Sequence, residues 1–163
     1  MSTLIGIISD THDNRPAIRR AVELFNNRGV GLVIHAGDFV APFVAKDFGQ
    51  LACRLVGVFG NNDGECVGLR SAFSPFGDLY FGVHEFQYEG KHIVVMHEPS
   101  CIEALVDSER FDVIIYGHTH SVDVREGKTL VLNPGEGGGW VNGRCTAAIL
   151  RLDDMKIEMV DLS

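Results

Sequence analysis

TLIGIISDTHDNRPAIRRAVELFNNRG, residues 3–29, sets a pattern that the following residues repeat. It opens with a short apolar run rich in β-branched residues, which predicts a buried strand. The run stops at Asp10-Thr11-His12-Asp13-Asn14. Asp13 or Asn14 can cap the helix that follows, with Pro16 in its first turn. Ile18, Ala21, Val22 and Phe25 recur at helical spacing and form one apolar face. Asn27 to Gly29 ends that helix. LVIHAGD (32–38) predicts a second strand closing on Asp38, and a short helix is expected over 42–48. RLVGVFGNND (54–63) predicts a third strand closing on Gly60-Asn61-Asn62-Asp63. A β-α-β-α-β order favours parallel strands, whose sites lie beyond their carboxyl ends.

The second half reads mostly as β-structure. SPFGD (74–78) has the composition of a loop. GVHEFQYEGKHIVVMHEPS (82–100) predicts a hairpin turning at Glu89-Gly90, its second strand closing on His97. A short helix is expected over 99–109. DVIIYGHTH (112–120) is a strand running into Gly117-His118-Thr119-His120, and VDVREGKTLVLNPG (122–135) is a hairpin around Glu126-Gly127. CTAAILRL (145–152) and KIEMVDL (156–162) form a last hairpin. No linker, low-complexity run or long-period repeat divides the chain, so one domain over 1–163 is expected.

Composition narrows the function. A chain of 163 residues, 45% apolar and 22% charged, can bury a sizeable core. No apolar run is long enough to cross a membrane, and the first residues lack the pattern of a secretory leader. Four cysteines at 53, 66, 101 and 145 include no C-x-x-C pair and read as free thiols, small core residues in a reducing cytoplasm. The net charge of −8 argues against broad nucleic-acid binding. It leaves room for an anionic small substrate if some other positive charge is supplied.

The residues just past the apolar runs are Asp10, His12, Asp38, Asn61, His97, His118 and His120. Carboxylate, imidazole and amide oxygen together suit first-row divalent cations such as Mn, Fe, Ni or Zn. No thiolate is among them, which disfavours a structural zinc site. Seven donors exceed the needs of one open site and suit two cations sharing a bridging carboxylate, for which Asp38 is the best placed. Four positive charges, less Asp10, Asp38 and a hydroxide, leave about one in the cleft, enough to attract an anion. Taken singly, each motif reads more readily as a turn, a strand end or a helix cap, with GHTH the strongest. Their joint occurrence in order disfavours that reading.

The succession DTH, GD, GNND, MH and GHTH, over residues 4–135, closely resembles the calcineurin-like metallophosphoesterase superfamily. Size and the NPG at 133–135 resemble its small prokaryotic phosphodiesterase branch. The resemblance implies an α/β fold, a four-layer αββα sandwich of two mixed β-sheets flanked by helices. It implies a dimetal-dependent phosphoesterase, foremost a phosphodiesterase, acting on a small phosphoester by in-line attack of metal-activated water. Asp10, His12, Asp38 and His120 would hold one ion; Asp38, Asn61, His97 and His118 the other. The ions would be two divalent metals, Mn2+ or Ni2+ foremost, with Zn2+, Fe2+ and Mg2+ compatible. The catalytic positions implied are Asp38, Asn61, His97 and Asn62.

Asn62 departs from the pattern, since many relatives carry histidine there to protonate the leaving group. An amide is no general acid at neutral pH. Diesters and activated esters are therefore expected to outrun simple alkyl monoesters. The rival reading is a protein-interaction scaffold on the same fold, as in a eukaryotic retromer subunit that has lost ligand residues; here all seven positions keep donor side chains.

Other residues read more plainly. Asp63 either supports a ligand or closes a turn, and Thr119 is taken as a spacer rather than a phosphate contact. His35 is expected in the core or behind the ligands; His84 and His92 in the hairpin. GEGGGWVNG (135–143) lacks the context of a dinucleotide loop and is expected to be flexible. Trp140 can stack on a base or cover an edge, and covering an edge is favoured. Phe73, Phe76, Leu79, Tyr80 and Phe81 either pack in the core, the commoner fate, or form a homo-oligomer contact.

Overall fold

The computed structural model describes residues 2–163. Its first strand, β1 (Leu4–Ile8), leads into α1 (Arg15–Arg28). Asn14 caps α1 by accepting from the Ala17 N–H at 3.2 Å, and Gly29 closes it in the left-handed region at φ 65°. The expected apolar face, Ile18, Ala21, Val22 and Phe25, is buried. β2 (Leu32–His35) follows, then a 3₁₀ turn at Pro42–Val44 running into α2 (Ala45–Phe48), then β3 (Arg54–Val58).

Two elements were not legible in the sequence. Helix α3 (Cys66–Phe73) and strand β4 (Gly77–Tyr80) occupy the stretch that contains SPFGD. Glu65 caps α3 through the Gly68 N–H. Leu69 and Phe73 bury its apolar side although Gly68 lowers helix propensity. β4 is short and pairs parallel with β3 at the sheet edge. Phe73 and Leu79 thus belong to the core, whereas Phe81 is exposed.

The remaining elements fall as expected. They are β5 (His84–Tyr88), β6 (Lys91–Val95), α4 (Ile102–Asp107), β7 (Val113–Ile115), β8 (Val122–Arg125), β9 (Leu130–Pro134), β10 (Thr146–Arg151) and β11 (Lys156–Asp161). Glu89 and Gly90 turn the first hairpin with both φ positive, as a tight hairpin requires.

The strands form two mixed sheets, ordered β11-β10-β1-β2-β3-β4 and β5-β6-β7-β9-β8. β1 to β4 run parallel, as do β6, β7 and β9. Three separate apolar cores account for four layers. Ile5, Ile7 and Ile34 of the first sheet meet Ile93, Val95, Ile115 and Leu132 of the second in the middle core. Ile8 and Val33 face α1, α2 and α3 through Phe25, Phe48 and Phe73. Val94, Ile114 and Val131 face α4 through Ile102 and Leu105. The fold is the αββα sandwich expected from the sequence, with both sheets covered as parallel strands require.

Candidate metal centre

All seven rim residues meet at the carboxyl ends of β1, β2, β3, β6 and β7. Asp38 lies at their middle, 1% exposed. Its Oδ2 is 3.3 Å from His12 Nε2 and 3.4 Å from His97 Nε2. On the first side, Asp10 Oδ1 lies 3.8 Å from His12 Nε2 and 3.3 Å from His120 Nε2. On the second, Asn61 Oδ1 is 2.8 Å from His97 Nε2 and 3.0 Å from His118 Nδ1. Two groups, Asp10-His12-His120 and Asp10-Asp38-His97, each bring donor atoms within 4.8 Å of one another.

Local backbone makes this convergence. Asp10, His12, Asp38, His118 and His120 all take positive φ, between 40° and 68°. For side chains with a Cβ this costs on the order of 1 kcal/mol or more each and needs outside support. Support comes from loop to loop: Asp10 N–H donates to Gly37 C=O at 2.9 Å, and His12 N–H to Asp38 C=O at 3.1 Å. Asp63 receives the N–H groups of Asp38 (3.0 Å), Val40 (2.7 Å) and Gly60 (2.7 Å). It therefore both closes the turn after β3 and fixes the backbone of Asp38. A Cβ on Gly60 would lie 2.1 Å from Asp38 Oδ1, so only glycine allows that approach.

Each donor is also oriented. Ser9 Oγ, at 2.6 Å, and the His118 N–H, at 3.0 Å, both donate to Asp10 Oδ2, leaving Oδ1 toward His12 and His120. Asn62 holds Asp38 at both oxygens, N–H to Oδ1 at 2.8 Å and Nδ2 to Oδ2 at 2.9 Å. His97 Nδ1 donates to the Ala36 carbonyl at 2.8 Å, since a carbonyl can only accept. A neutral His97 then turns a lone pair on Nε2 toward two further acceptors, Asn61 Oδ1 and Asp38 Oδ2.

The site is thus a collection of acceptors without matching donors. Asp10 Oδ1 and His12 Nε2 are buried and have no hydrogen-bond partner among the described residues, a costly state in a dry interior. Divalent cations fit this donor set. The titration directions agree. Burial raises the Asp10 and Asp38 carboxyls, but the neighbouring His12 ring and the Ser9 hydroxyl for Asp10, and the His97 ring and Asn62 for Asp38, bring both below the usual range. His12 is raised, first by Asp10 beside it. His97 is lowered by burial and raised more by Asp38, for a net rise. A proton on either ring would offset part of the negative charge that a cation would otherwise answer.

Behind these candidate donors, His35 is fully buried; its Nδ1 accepts from Gly37 N–H at 3.1 Å, so its Nε2 is placed to donate to Thr11 Oγ1, also at 3.1 Å. Burial pushes its pKa down to about 3, keeping it neutral. Thr119 Oγ1 accepts from Asn133 Nδ2 at 3.0 Å, in keeping with a structural spacer. Asn133 also donates to the Gly117 carbonyl.

Sequence reading missed Glu136. It is 1% exposed, accepts from the Val141 and Asn142 N–H groups, and faces His120 Nδ1 at 3.3 Å without an aligned hydrogen bond. Its one sequence signal is a lone carboxylate beside NPG. The 135–143 loop is correspondingly packed rather than loose. Gly137 and Gly138 donate to the Ser9 and Asp10 carbonyls at 2.8 and 2.9 Å. Trp140, expected to cover an edge, instead projects 67% exposed. Cys101 is exposed rather than a core residue.

Residues 3–155 match the calcineurin-like phosphoesterase superfamily domain. A phosphodiesterase of Methanocaldococcus jannaschii, MJ0936, is 39% identical over 154 residues, 90% of this chain and 91% of that protein. A solved structure described as a novel archaeal phosphodiesterase superposes with a TM-score of 0.92 at 36% identity, over 97% of this chain and 99% of its own. Wild-type Vps29 of Entamoeba histolytica, solved with zinc, gives a TM-score of 0.65 at 21% identity over 98% and 99%, a likeness of fold alone. The chain belongs to the calcineurin-like phosphoesterase superfamily.

Proposed function

We propose that this member of the superfamily is a phosphodiesterase in which Asp38 would contribute to the donor sets of two divalent cations, the whole chain 1–163 serving as one metallophosphoesterase domain. One observation supports this most: a single carboxylate oxygen, Asp38 Oδ2, faces His12 on one side and His97 on the other at nearly equal distances. Asp10, His12 and His120 complete one set of donors; Asn61, His97 and His118 complete the second. When bound, such a pair supplies Lewis acidity at the phosphoryl oxygens and a water of lowered pKa as nucleophile. The chain's own residues hold the donors in place and keep their protons. Asp10 is fixed by Ser9 Oγ and the His118 N–H, His97 by the Ala36 carbonyl, and the Asp38 backbone by Asp63.

Asn62 spends its amide on Asp38 Oδ2 and offers no acid to a leaving group. That supports diesters with good leaving groups over alkyl monoesters. Mn2+ or Ni2+ fits the mixed nitrogen and oxygen donors, the choice depending on availability. Free thiols at all four cysteines support a cytoplasmic setting. The −8 charge argues against broad nucleic-acid binding and leaves a small phosphoester, drawn by the cations, as the substrate.

The test is hydrolysis of a chromogenic diester and its monoester by chelator-stripped protein, restored with Mn, Ni, Zn or Mg in turn. Metal-dependent turnover, larger on the diester and lost in Asp38→Ala and His120→Ala, is expected. Faster monoester turnover would overturn the reading of Asn62. No turnover with any metal would overturn the enzyme.

A further inference from the structure

The 135–143 loop touches two of the metal-facing residues through their main chains. Trp140 Nε1 donates to the His12 carbonyl at 2.9 Å, and Asn142 Nδ2 donates to the His120 carbonyl. Asn14 Nδ2 holds the loop from the other side, through the Gly138 carbonyl at 2.6 Å. At Gly138 a Cβ would meet the Thr11 carbonyl oxygen at 2.6 Å, so the loop lies flush on the β1 rim. The indole is therefore held in one orientation by its only polar atom. Its remaining surface is largely bare, at 67% exposure, beside a buried cluster of charge. An indole placed for packing would have its faces covered. Through Glu136 and Asn142 the same loop also lines a cleft of about 420 Å³ that opens on His120, with Ser121, Arg144 and Thr146 as further hydrogen-bonding groups.

We propose that Trp140 is a specificity-determining residue. An aromatic ring on one arm of the diester, a nucleobase or an aryl group, lies against the indole while the phosphate occupies the cluster around Asp38. The inference rests on the phosphodiesterase reading above. Stacking on an indole is tolerant of ring identity, because every base presents a π-face. Selection is thus for an aromatic arm and not for one base.

Three diesters with the same p-nitrophenol leaving group and a different retained arm isolate this contact: methyl, phenyl and thymidine. In metal-loaded wild-type protein kcat/KM is expected to favour the phenyl and thymidine arms over methyl. In Trp140→Ala that preference should fall on the order of ten-fold, mostly through KM, and Trp140→Phe should retain most of it. A preference unchanged in Trp140→Ala overturns the proposal. So does a wild-type dimer that becomes monomeric in the variant, since a second copy would then be what covers the indole. The chain has one tryptophan, so its fluorescence reports this ring alone. Saturable quenching by thymidine monophosphate, absent with inorganic phosphate, is expected whether or not turnover is seen. No quenching overturns the proposal independently of the enzymatic reading.

Discussion

The two flanks of Asp38 each set two histidines beside one oxygen donor, the Asp10 carboxylate on the first and the Asn61 amide on the second, and they stand in different states. On the second flank, Asn61, His97 and His118 contact one another, and the Ala36 carbonyl holds His97 from behind. On the first flank, Asp10 Oδ1 and His12 Nε2 have no hydrogen-bond partner among the described residues, and Glu136 faces His120 without an aligned bond. Burial differs along with pairing: Asp10 is fully buried on the first flank, whereas Asn61 and His118 on the second are exposed. The second flank is settled by its own contacts only while His97 carries a proton on Nε2, whereas the first needs a cation or a proton to offset the buried Asp10 carboxylate. A site of this kind keeps its donors pre-arranged on one side and draws its remaining order from the ion on the other.

Removing the residue common to both flanks should have the largest effect. Asp38→Ala is expected to lower diester turnover by on the order of a thousand-fold or more, and metal content from about two ions per chain to less than one. Elemental analysis beside the rate measures both, and two retained ions would break the symmetry argued here. Next come substitutions confined to one flank. His120→Ala and His118→Ala should each lose one ion, the first raising the need for cation more steeply because its flank has fewer contacts of its own. Equal titration curves for the two variants would erase the contrast between the flanks.

Glu136→Gln should weaken metal binding at the first flank by about 10- to 100-fold, the usual cost of losing a partner behind a ligating histidine. Calorimetry on the stripped protein reads this directly; an effect at the second flank instead would contradict the placement of Glu136. Asp63→Asn should cost about 1–3 kcal/mol in urea unfolding, because a carboxylate that accepts three N–H groups is replaced by an amide. A variant as stable as wild type would remove Asp63 from the account.

The last contrast concerns pH. His35 has a folded pKa near 3 against an ordinary value of 6.5, so the unfolded chain binds its proton first. Its contribution is complete above pH 6.5 and is lost as pH falls toward 3, by at most about 1.4 kcal/mol per pH unit. Urea midpoints of the metal-stripped protein should therefore fall more steeply over that range than those of His35→Leu. Parallel slopes would show that His35 is not held neutral.

The contrast between the flanks also separates what the sequence discloses from what it does not. Each of the seven donors follows an apolar run at a strand end, and a strand end is a local feature that a one-dimensional pattern carries. The hairpin at Glu89-Gly90 and the cap at Asn14 were legible for the same reason. Helix α3 was not, because Gly68 interrupts it, and Ser74-Pro75 before β4 has the composition of a turn. Glu136 was illegible for a different reason: its partner His120 is distant along the chain and reaches it only once β8 and β9 have paired. The anchored loop and the bare indole likewise depend on contacts with Ser9, Asp10 and His12 that no composition predicts.

The most direct test of the shared carboxylate is diester turnover measured while metal is returned to stripped protein in known equivalents. The account predicts little turnover up to one ion per chain and a rise that saturates at two. Full turnover at a single equivalent, or none with two ions bound, would contradict it.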